Sequence, residues 1–157
     1  MPTVSLSLTL FSGLPLAALL VPLLASGARA GDFVGALRCR GCHLAAYEQW
    51  RQTPHANTFE RLAADQRRDP RCTACHATSA EDALTGVQCE SCHGAGRHYA
   101  SVHTMKDTAL ARAVGLRRGD EPQMCLRCHG PDPTRLVPFD PKGSLDPVRH
   151  RPSSGAL

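Results

Sequence analysis

Aromatic residues are scarce in this chain. Its 157 residues include one Trp, two Tyr and four Phe, so that aromatic residues make up only 4% of the sequence. Large aromatic side chains dominate the apolar contacts of ordinary domain cores. A small domain with so few of them needs another source of apolar surface.

Cysteine is absent outside four copies of one short motif. Each copy reads Cys-x-x-Cys-His, and together the copies contain all eight cysteines: Cys39–His43, Cys72–His76, Cys89–His93 and Cys125–His129. The motif predicts covalent attachment of c-type haem. Two thiols reach the two vinyl groups on one edge of a porphyrin, and the adjacent histidine turns its imidazole onto the iron.

We therefore predict four covalently bound haem c groups, whose porphyrins form the core that the side chains cannot. The predicted attachment residues are Cys39, Cys42, Cys72, Cys75, Cys89, Cys92, Cys125 and Cys128, and the predicted proximal iron ligands are His43, His76, His93 and His129. Without haem the chain should be largely unfolded, because the free energy of binding is then part of the free energy of folding.

Two other uses of these cysteines are possible. Zinc accepts four thiolates, or thiolates mixed with imidazoles, and an exported chain with an even number of cysteines can form disulfides. Neither use explains why a histidine follows every second cysteine. Haem attachment explains all four histidines.

A strong excess of charge of either sign is also lacking. The chain has 18 Lys and Arg against 14 Asp and Glu, a formal net charge of +4, and each haem adds two propionates. The composition therefore argues against nucleic acid or an anionic membrane surface as a partner. The expected partners are redox proteins, an electron donor and an electron acceptor that the residues do not identify.

The first thirty residues differ in character from the rest. An apolar stretch over residues 8–25 leads to Ala28-Arg29-Ala30, which is typical of a secretory signal peptide with an Ala-x-Ala cleavage site. A retained membrane anchor is the alternative, although Pro15 and Pro22 interrupt the stretch. We expect cleavage after Ala30, a periplasmic tetrahaem domain over residues 31–157, and a loose tail over residues 153–157.

The expected fold is mainly α with much irregular loop, in the manner of a small multihaem cytochrome c. Tyr47 and Trp50 are spaced to share one face of a helix that follows the first motif and stops before Pro54. Helices are also predicted over residues 59–66 and 108–118. The intervals of 33, 17 and 36 residues between the first cysteines of the motifs are unequal, which excludes a solenoid.

Four histidines lie outside the motifs: His55, His98, His103 and His150. A lone histidine is more often an ordinary imidazole than a ligand. Four haems in a short chain each need a sixth ligand or leave an iron open, and that choice separates electron carriers from catalysts. All four histidines are therefore candidate distal ligands.

The surroundings of these histidines resemble the cytochrome c-554 family of multihaem c-type cytochromes. The resemblance rests on segments flanking the motifs: Cys39–His43 followed by Tyr47, Trp50 and Thr53-Pro54-His55-Ala56, then Gly86–Gly96, and later Phe139 and His150. It implies that His55 and His150 are distal ligands and that His55 serves a haem other than its own. It also implies that a histidine after the third motif serves the first haem, and His103 fits the family spacing better than His98.

In that family the haem on the second motif lacks a distal protein ligand. The resemblance therefore implies an iron at His76 that is either open or closed by the extra histidine of this chain. Met105 is better explained by packing than by ligation, and Met124, directly before Cys125, is too constrained to reach an iron. Haems with two histidine ligands should have low reduction potentials, since they lack the methionine ligand that raises the potential.

Three functions remain. The leading one is a periplasmic electron carrier without chemistry of its own, and an enzyme that reduces or oxidises nitric oxide, nitrite, hydroxylamine or peroxide at an open haem is the second. A haem subunit of a larger redox complex is the third. No acid/base pair stands out, so no catalytic residue is predicted and the chain is expected to be a carrier rather than an enzyme.

Overall fold

The computed structural model describes residues 31–130, 139–140 and 143–150. The predicted signal segment and the predicted tail lie outside these residues. Short helices joined by irregular loops make up the described part, which confirms the expected mainly α fold. The helices are α1 (Ala36–Arg40), α2 (Leu44–Trp50), α3 (Pro70–His76), α4 (Cys89–His93), α5 (Val102–Lys106), α6 (Thr108–Ala113) and α7 (Pro122–Leu126).

A small hairpin and three 3₁₀ turns complete the described elements. Strands β1 (Ala77–Ser79) and β2 (Leu84–Thr85) pair antiparallel between the second and third motifs. The 3₁₀ turns are Pro54–Asn57, Gln66–Arg68 and Gly96–His98. None of the helices among the described residues is long and apolar enough to cross a membrane.

Each haem motif coincides with a short helix or its end. The second motif lies within α3 and the third spans α4, whereas the first begins in α1 and the fourth in α7. Proline starts two of these helices, Pro70 in α3 and Pro122 in α7, where its missing N–H costs no hydrogen bond. The Asp69 side chain caps α3 by accepting from the N–H of Arg71 at 2.9 Å.

The predicted helix after the first motif is confirmed as α2. The rings of Tyr47 and Trp50 lie 5.5 Å apart on one face. The indole N–H of Trp50 donates to the carbonyl of Val87 at 2.8 Å. This bond joins α2 to the segment that precedes the third motif.

The prediction of a helix over residues 59–66 is wrong. Residues 58–65 form turns and loop, and only Gln66–Arg68 is helical, as a 3₁₀ turn. The Arg67 guanidinium donates to the carbonyls of Glu60 and Leu62, and the Gln66 side chain accepts from the N–H of Ala63. These side chains take backbone groups that a helix would have used.

The helix predicted over residues 108–118 is shorter than expected. It is capped by the Asp107 side chain, which accepts from the N–H of Leu110, and it ends at Ala113. Gly115 follows with φ of 118°, a conformation that ends helices and that glycine adopts without steric cost.

The third motif lies at the centre of the described structure, since α4 packs against both α1 and α7. Glu90, between the two cysteines of this motif, is only 2% exposed. Its carboxylate accepts from the N–H groups of Val34, Gly35 and Gly96 at 2.6–3.2 Å. Residues 31–35 before α1 form a strap, and residues 94–96 after α4 form a glycine-rich loop. One buried carboxylate thereby holds both segments.

Few apolar side chains are buried among the described residues. They are Ala36, Leu62, Tyr99, Ala111 and Met124. So small a set cannot stabilise a domain by side-chain burial alone. The packing thus fits the expectation that covalently bound porphyrins supply the apolar core.

The backbone at Gly86 passes very close to the backbone at Ala56, next to the predicted ligand His55. The φ of Gly86 is 75°, and a Cβ there would lie 2.5 Å from the carbonyl oxygen of Ala56. Gly86→Ala should lower the free energy of unfolding of the haem-loaded protein by about 2 kcal/mol, because both strain and a backbone clash are introduced. Chemical denaturation followed by circular dichroism measures the change.

Gly41→Ala is the matched control, because Gly41 has an ordinary helical φ of −54° and a Cβ there would lie 3.5 Å from the nearest atom. Equal stability of the two variants would show that Gly86 is not required by its conformation.

Candidate functional site

Backbone carbonyls orient two of the predicted proximal histidines. His76 Nδ1 lies 2.8 Å from the carbonyl oxygen of Thr58, and His93 Nδ1 lies 3.1 Å from that of Arg117. A carbonyl can only accept, so each Nδ1 carries the proton and each Nε2 keeps its lone pair for a metal. Nε2 of each residue is thus available to a metal ion, as the prediction of His76 and His93 as iron ligands requires.

Thr58 contacts His76 twice. Its carbonyl oxygen accepts from the His76 ring. Its hydroxyl donates to the carbonyl oxygen of His76 at 3.2 Å and to that of His55 at 3.1 Å. One residue thus links a predicted proximal ligand to a predicted distal ligand. Sequence reasoning overlooked Thr58, because only the fold brings it to His76, which lies 18 positions further along the chain.

His93 is enclosed by the segment before α7. The N–H of Arg117 donates to the carbonyl of His93 at 2.9 Å, which complements the bond from the His93 ring to the Arg117 carbonyl. A Cβ on Gly119 would lie 2.8 Å from Cε1 and 3.0 Å from Nε2 of His93. The ring therefore rests directly on a glycine backbone.

His55 lies opposite the fourth proximal histidine. The ring centroids of His55 and His129 are 6.1 Å apart. Imidazole nitrogens bind a metal ion at about 2 Å, so two rings on opposite sides of one ion have centroids about 6 Å apart. Burial, and then the charge of His129, lower the pKa of His55, which favours the neutral imidazole that a metal requires.

His150 lies in the same way opposite His93, with ring centroids 5.8 Å apart. Burial lowers the pKa of His150, and the charges of His93 and His43 add to the effect. Its Nδ1 is buried and has no hydrogen-bond partner among the described residues. The donors present thus suit two irons that each have two histidine ligands.

The two remaining histidines are less clearly placed. Both are exposed, but His98, in the 3₁₀ turn Gly96–His98, lines the same cavity as His76, whereas His103 lies on α5 and is not among the residues that line that cavity. Within the described part of the chain, no ring contact joins either of them to His43 or His76. The choice between His98 and His103 as the distal ligand of the first haem stays a prediction.

Met105 and Met124, the two methionines considered as iron ligands, differ in environment. Met105 is partly buried, whereas Met124 is 8% exposed and its sulfur accepts from the Arg117 guanidinium at 3.3 Å. This contact accounts for Met124 without an iron.

A cavity of about 1740 Å³ lies among the second, third and fourth motifs. Small-molecule pockets usually hold about 300–1,000 Å³, so this space suits larger groups. Its walls carry predicted ligands and attachment residues: His55, His76, His98, His129, Cys75, Cys92, Cys125, Cys128 and, in contact with them, Phe139. The Phe139 ring stacks on that of His129 at 4.5 Å and 18°.

All eight cysteines are unpaired by disulfides. Among the described residues, no group of three or more His, Cys, Asp or Glu is arranged to hold a metal ion by itself. The disulfide and zinc alternatives therefore gain no support from the geometry. The chemistry of the donors, thiols beside paired imidazoles, fits haem.

Attachment cysteines from different motifs are close neighbours. A hydrogen bond with Cys89, followed by burial, raises the pKa of Cys39, and the same hydrogen bond lowers that of Cys89. Burial raises the pKa of Cys92, with a further contribution from Cys125. The third motif thus adjoins the first motif on one side and the fourth on the other.

Comparison with known proteins points to one family. The family described as Cytochrome c554 and c-prime matches residues 38–94, which include the first three motifs and His55. Cytochrome c-554 of Nitrosomonas europaea is 31% identical over 108 aligned positions, which cover 52% of this chain and 46% of the relative. The chain therefore aligns with less than half of that relative's length. No solved structure matches it significantly.

Gly119→Ala tests the packing around His93. The added methyl group would meet the imidazole at 2.8–3.0 Å, so the ring must move and the iron bound to it should change its ligand field. We expect the low-spin signal of one haem to shift in the electron paramagnetic resonance (EPR) spectrum while the others persist. Arg118→Ala, which removes an exposed ion pair with Asp120, should leave all signals unchanged. Equal spectra for both variants would contradict the assignment of His93.

Proposed function

We propose that this chain, which matches the cytochrome c-554 family over residues 38–94, is an exported tetrahaem cytochrome that carries electrons between redox partner proteins. The family is one of c-type cytochromes with covalently bound haem, which act in electron transfer. The proposal goes beyond the family in three respects, which are the number of haems, their ligands and their potentials.

The two histidine pairs carry this proposal. The rings of His55 and His129, and those of His93 and His150, are spaced so that each pair could hold one haem iron between its imidazoles. An iron with two protein ligands has no open position for a substrate. Such a centre can gain and lose electrons but cannot bind a small molecule, as a carrier requires.

The count of four haems rests on the motifs themselves. Three lie inside the region that matches the family, whereas Cys125–His129 lies beyond it. The fourth motif has the same residues as the others, and its histidine faces a predicted distal ligand. Haem supplies the redox couple, and the chain holds the imidazoles, shapes the cavity and brings the attachment sites together.

A second candidate function concerns the haem on the second motif. Among the described residues, no histidine ring contact faces His76, although His98 lines the same cavity. An open iron there could bind nitric oxide, nitrite, hydroxylamine or peroxide, with His98 as a proton donor. If His98 instead binds the iron, the site is closed and only the carrier function remains.

Ligand binding separates these two functions. The oxidised, haem-loaded protein should show four low-spin haems by EPR, and nitric oxide should leave its optical spectrum unchanged. The variant His55→Ala serves as the positive control, because it opens one iron and should create a high-spin signal that responds to nitric oxide.

A high-spin signal in the unmodified protein that responds to nitric oxide would contradict the pure carrier. The variants His98→Ala and His103→Ala, examined singly, would then identify the first haem's distal ligand. A His55→Ala variant that stays fully low-spin would contradict the pairing of His55 with His129.

We also propose that export removes residues 1–30, and one contact supports this site of cleavage. The backbone nitrogen of Gly31 donates to both carboxylate oxygens of Asp82, at 2.9 and 3.2 Å. The Arg97 guanidinium donates to the Gly31 carbonyl at 2.8 Å. Cleavage before Gly31 would turn this nitrogen into an ammonium group, which pairs more strongly with a carboxylate than an amide does.

The purified protein should accordingly begin at Gly31 in its intact mass. Asp82→Asn should lower the free energy of unfolding of the processed protein by about 0.5–1 kcal/mol, the range of a partly exposed ion pair. Glu81→Gln, on the exposed neighbour, should have no effect in the same denaturation experiment. A protein that begins elsewhere, or equal effects of the two variants, would disprove this contact.

A further inference from the structure

We propose that the buried carboxylate of Glu90 lowers the reduction potentials of the haems on the first and third motifs. This inference rests on the proposed attachment of haem to those motifs. It adds a residue that sets the potentials and that is neither a ligand nor an attachment site.

The contacts of Glu90 fit an ionised carboxylate. Every hydrogen bond that it makes is accepted from a backbone N–H group, and these groups belong to Val34, Gly35 and Gly96. A carboxylate accepts at both oxygens, whereas a neutral acid would direct a proton at one of these donors. The site is thus built for a negative charge.

No cation neutralises this charge among the described residues. Glu90 is not part of the ion pairs that join Arg51 with Glu48, Arg71 with Asp69, Arg118 with Asp120 and Arg149 with Asp146. With 2% exposure, Glu90 is also poorly screened by water and salt. Backbone dipoles hold the carboxylate but leave its net charge in place.

The charge lies beside the attachment sites of two haems. Glu90 follows Cys89 directly, and the first motif comes to the same place, because Cys39 Sγ lies 3.9 Å from the carbonyl oxygen of Gly35, whose N–H donates to Glu90 at 2.7 Å. The negative charge of Glu90 contributes to the raised pKa of Cys39, after the effects of Cys89 and burial, and to that of Tyr99, after burial. Its field therefore reaches residues that precede and follow α4 in the chain.

An oxidised haem carries one more positive charge than a reduced haem. A fixed negative charge nearby stabilises the oxidised form, and the effect is larger in a poorly solvated site than in water. The haem held by His55 and His129 should feel less of this field, because the fourth motif adjoins α4 at Cys92, whereas the first motif adjoins it at Cys89, directly next to Glu90. The proposal thus predicts a selective effect on two haems.

The decisive variant is Glu90→Gln in the haem-loaded full chain. It keeps the size of the side chain and removes the charge. In a redox titration followed by EPR, two of the four haems should become easier to reduce, by about tenfold in their reduction equilibrium constants, which is 59 mV for one electron. In Glu90→Gln, the haem held by His55 and His129 should keep its potential. The separate variant His55→Ala identifies this haem by its high-spin signal.

Two further variants separate charge from packing. Glu60→Gln makes the same change of charge at an exposed position and should leave all potentials unchanged. Glu90→Asp keeps the charge, so its two sensitive haems should stay as difficult to reduce as in the unmodified protein. If Glu90→Gln fails to incorporate its haems, the redox titration of Glu90→Asp still tests the proposal.

Unchanged potentials in Glu90→Gln, or an equal shift of all four haems, would overturn the proposal. A rise in Glu90→Asp would also overturn it, since it would assign the effect to packing. Intact mass counts the covalently bound haems of each variant. An error in the proposed haem number is thereby distinguished from an error about Glu90.

Discussion

The hydrogen bonds to the Glu90 carboxylate are the interaction on which the described architecture depends. Apolar burial is too limited to hold α1 against α4 by itself, so a buried polar contact takes on a task that a hydrophobic core performs elsewhere. A buried carboxylate is stable only when its acceptor positions are filled. Val34, Gly35 and Gly96 fill them with N–H groups whose geometry is fixed by the backbone. The same requirement makes the strap and the glycine-rich loop converge on the third motif.

Backbone atoms also orient the predicted ligands. His76 and His93 are held by peptide carbonyls, and the peptide of Arg117 contacts His93 as both donor and acceptor. Peptide groups have little conformational freedom once their segments are packed, so the folded backbone fixes the orientation of both imidazoles. For an electron carrier this matters, because a ligand shell that does not rearrange lets iron change its charge without moving its neighbours.

Sequence reasoning predicted the haem motifs, the helix after the first motif and the mainly helical fold. It also selected His55 and His150 as distal ligands, through a resemblance rather than through any periodicity, whereas their pairing with His129 and His93 is visible only in the folded chain. Glu90 escaped notice because the spacer of a Cys-x-x-Cys-His motif admits almost any residue, and only the folded chain shows three N–H groups around it. The helix predicted over residues 59–66 failed because Arg67 and Gln66 bind nearby backbone groups, a competition that hydrophobic spacing does not reveal.

The contact between Val34 and Glu90 joins residues separated by 56 positions. It therefore closes a long loop, which contains the whole of the first two motifs and the hairpin between the second and third. The entropy lost on closing a flexible loop grows only with the logarithm of its length, by about 0.6 kcal/mol for each doubling. Insertions between the first and second motifs should consequently be inexpensive, while the strap and the third motif tolerate little change. Relatives of this chain can thus differ widely in the length of that loop and still close it at the same carboxylate.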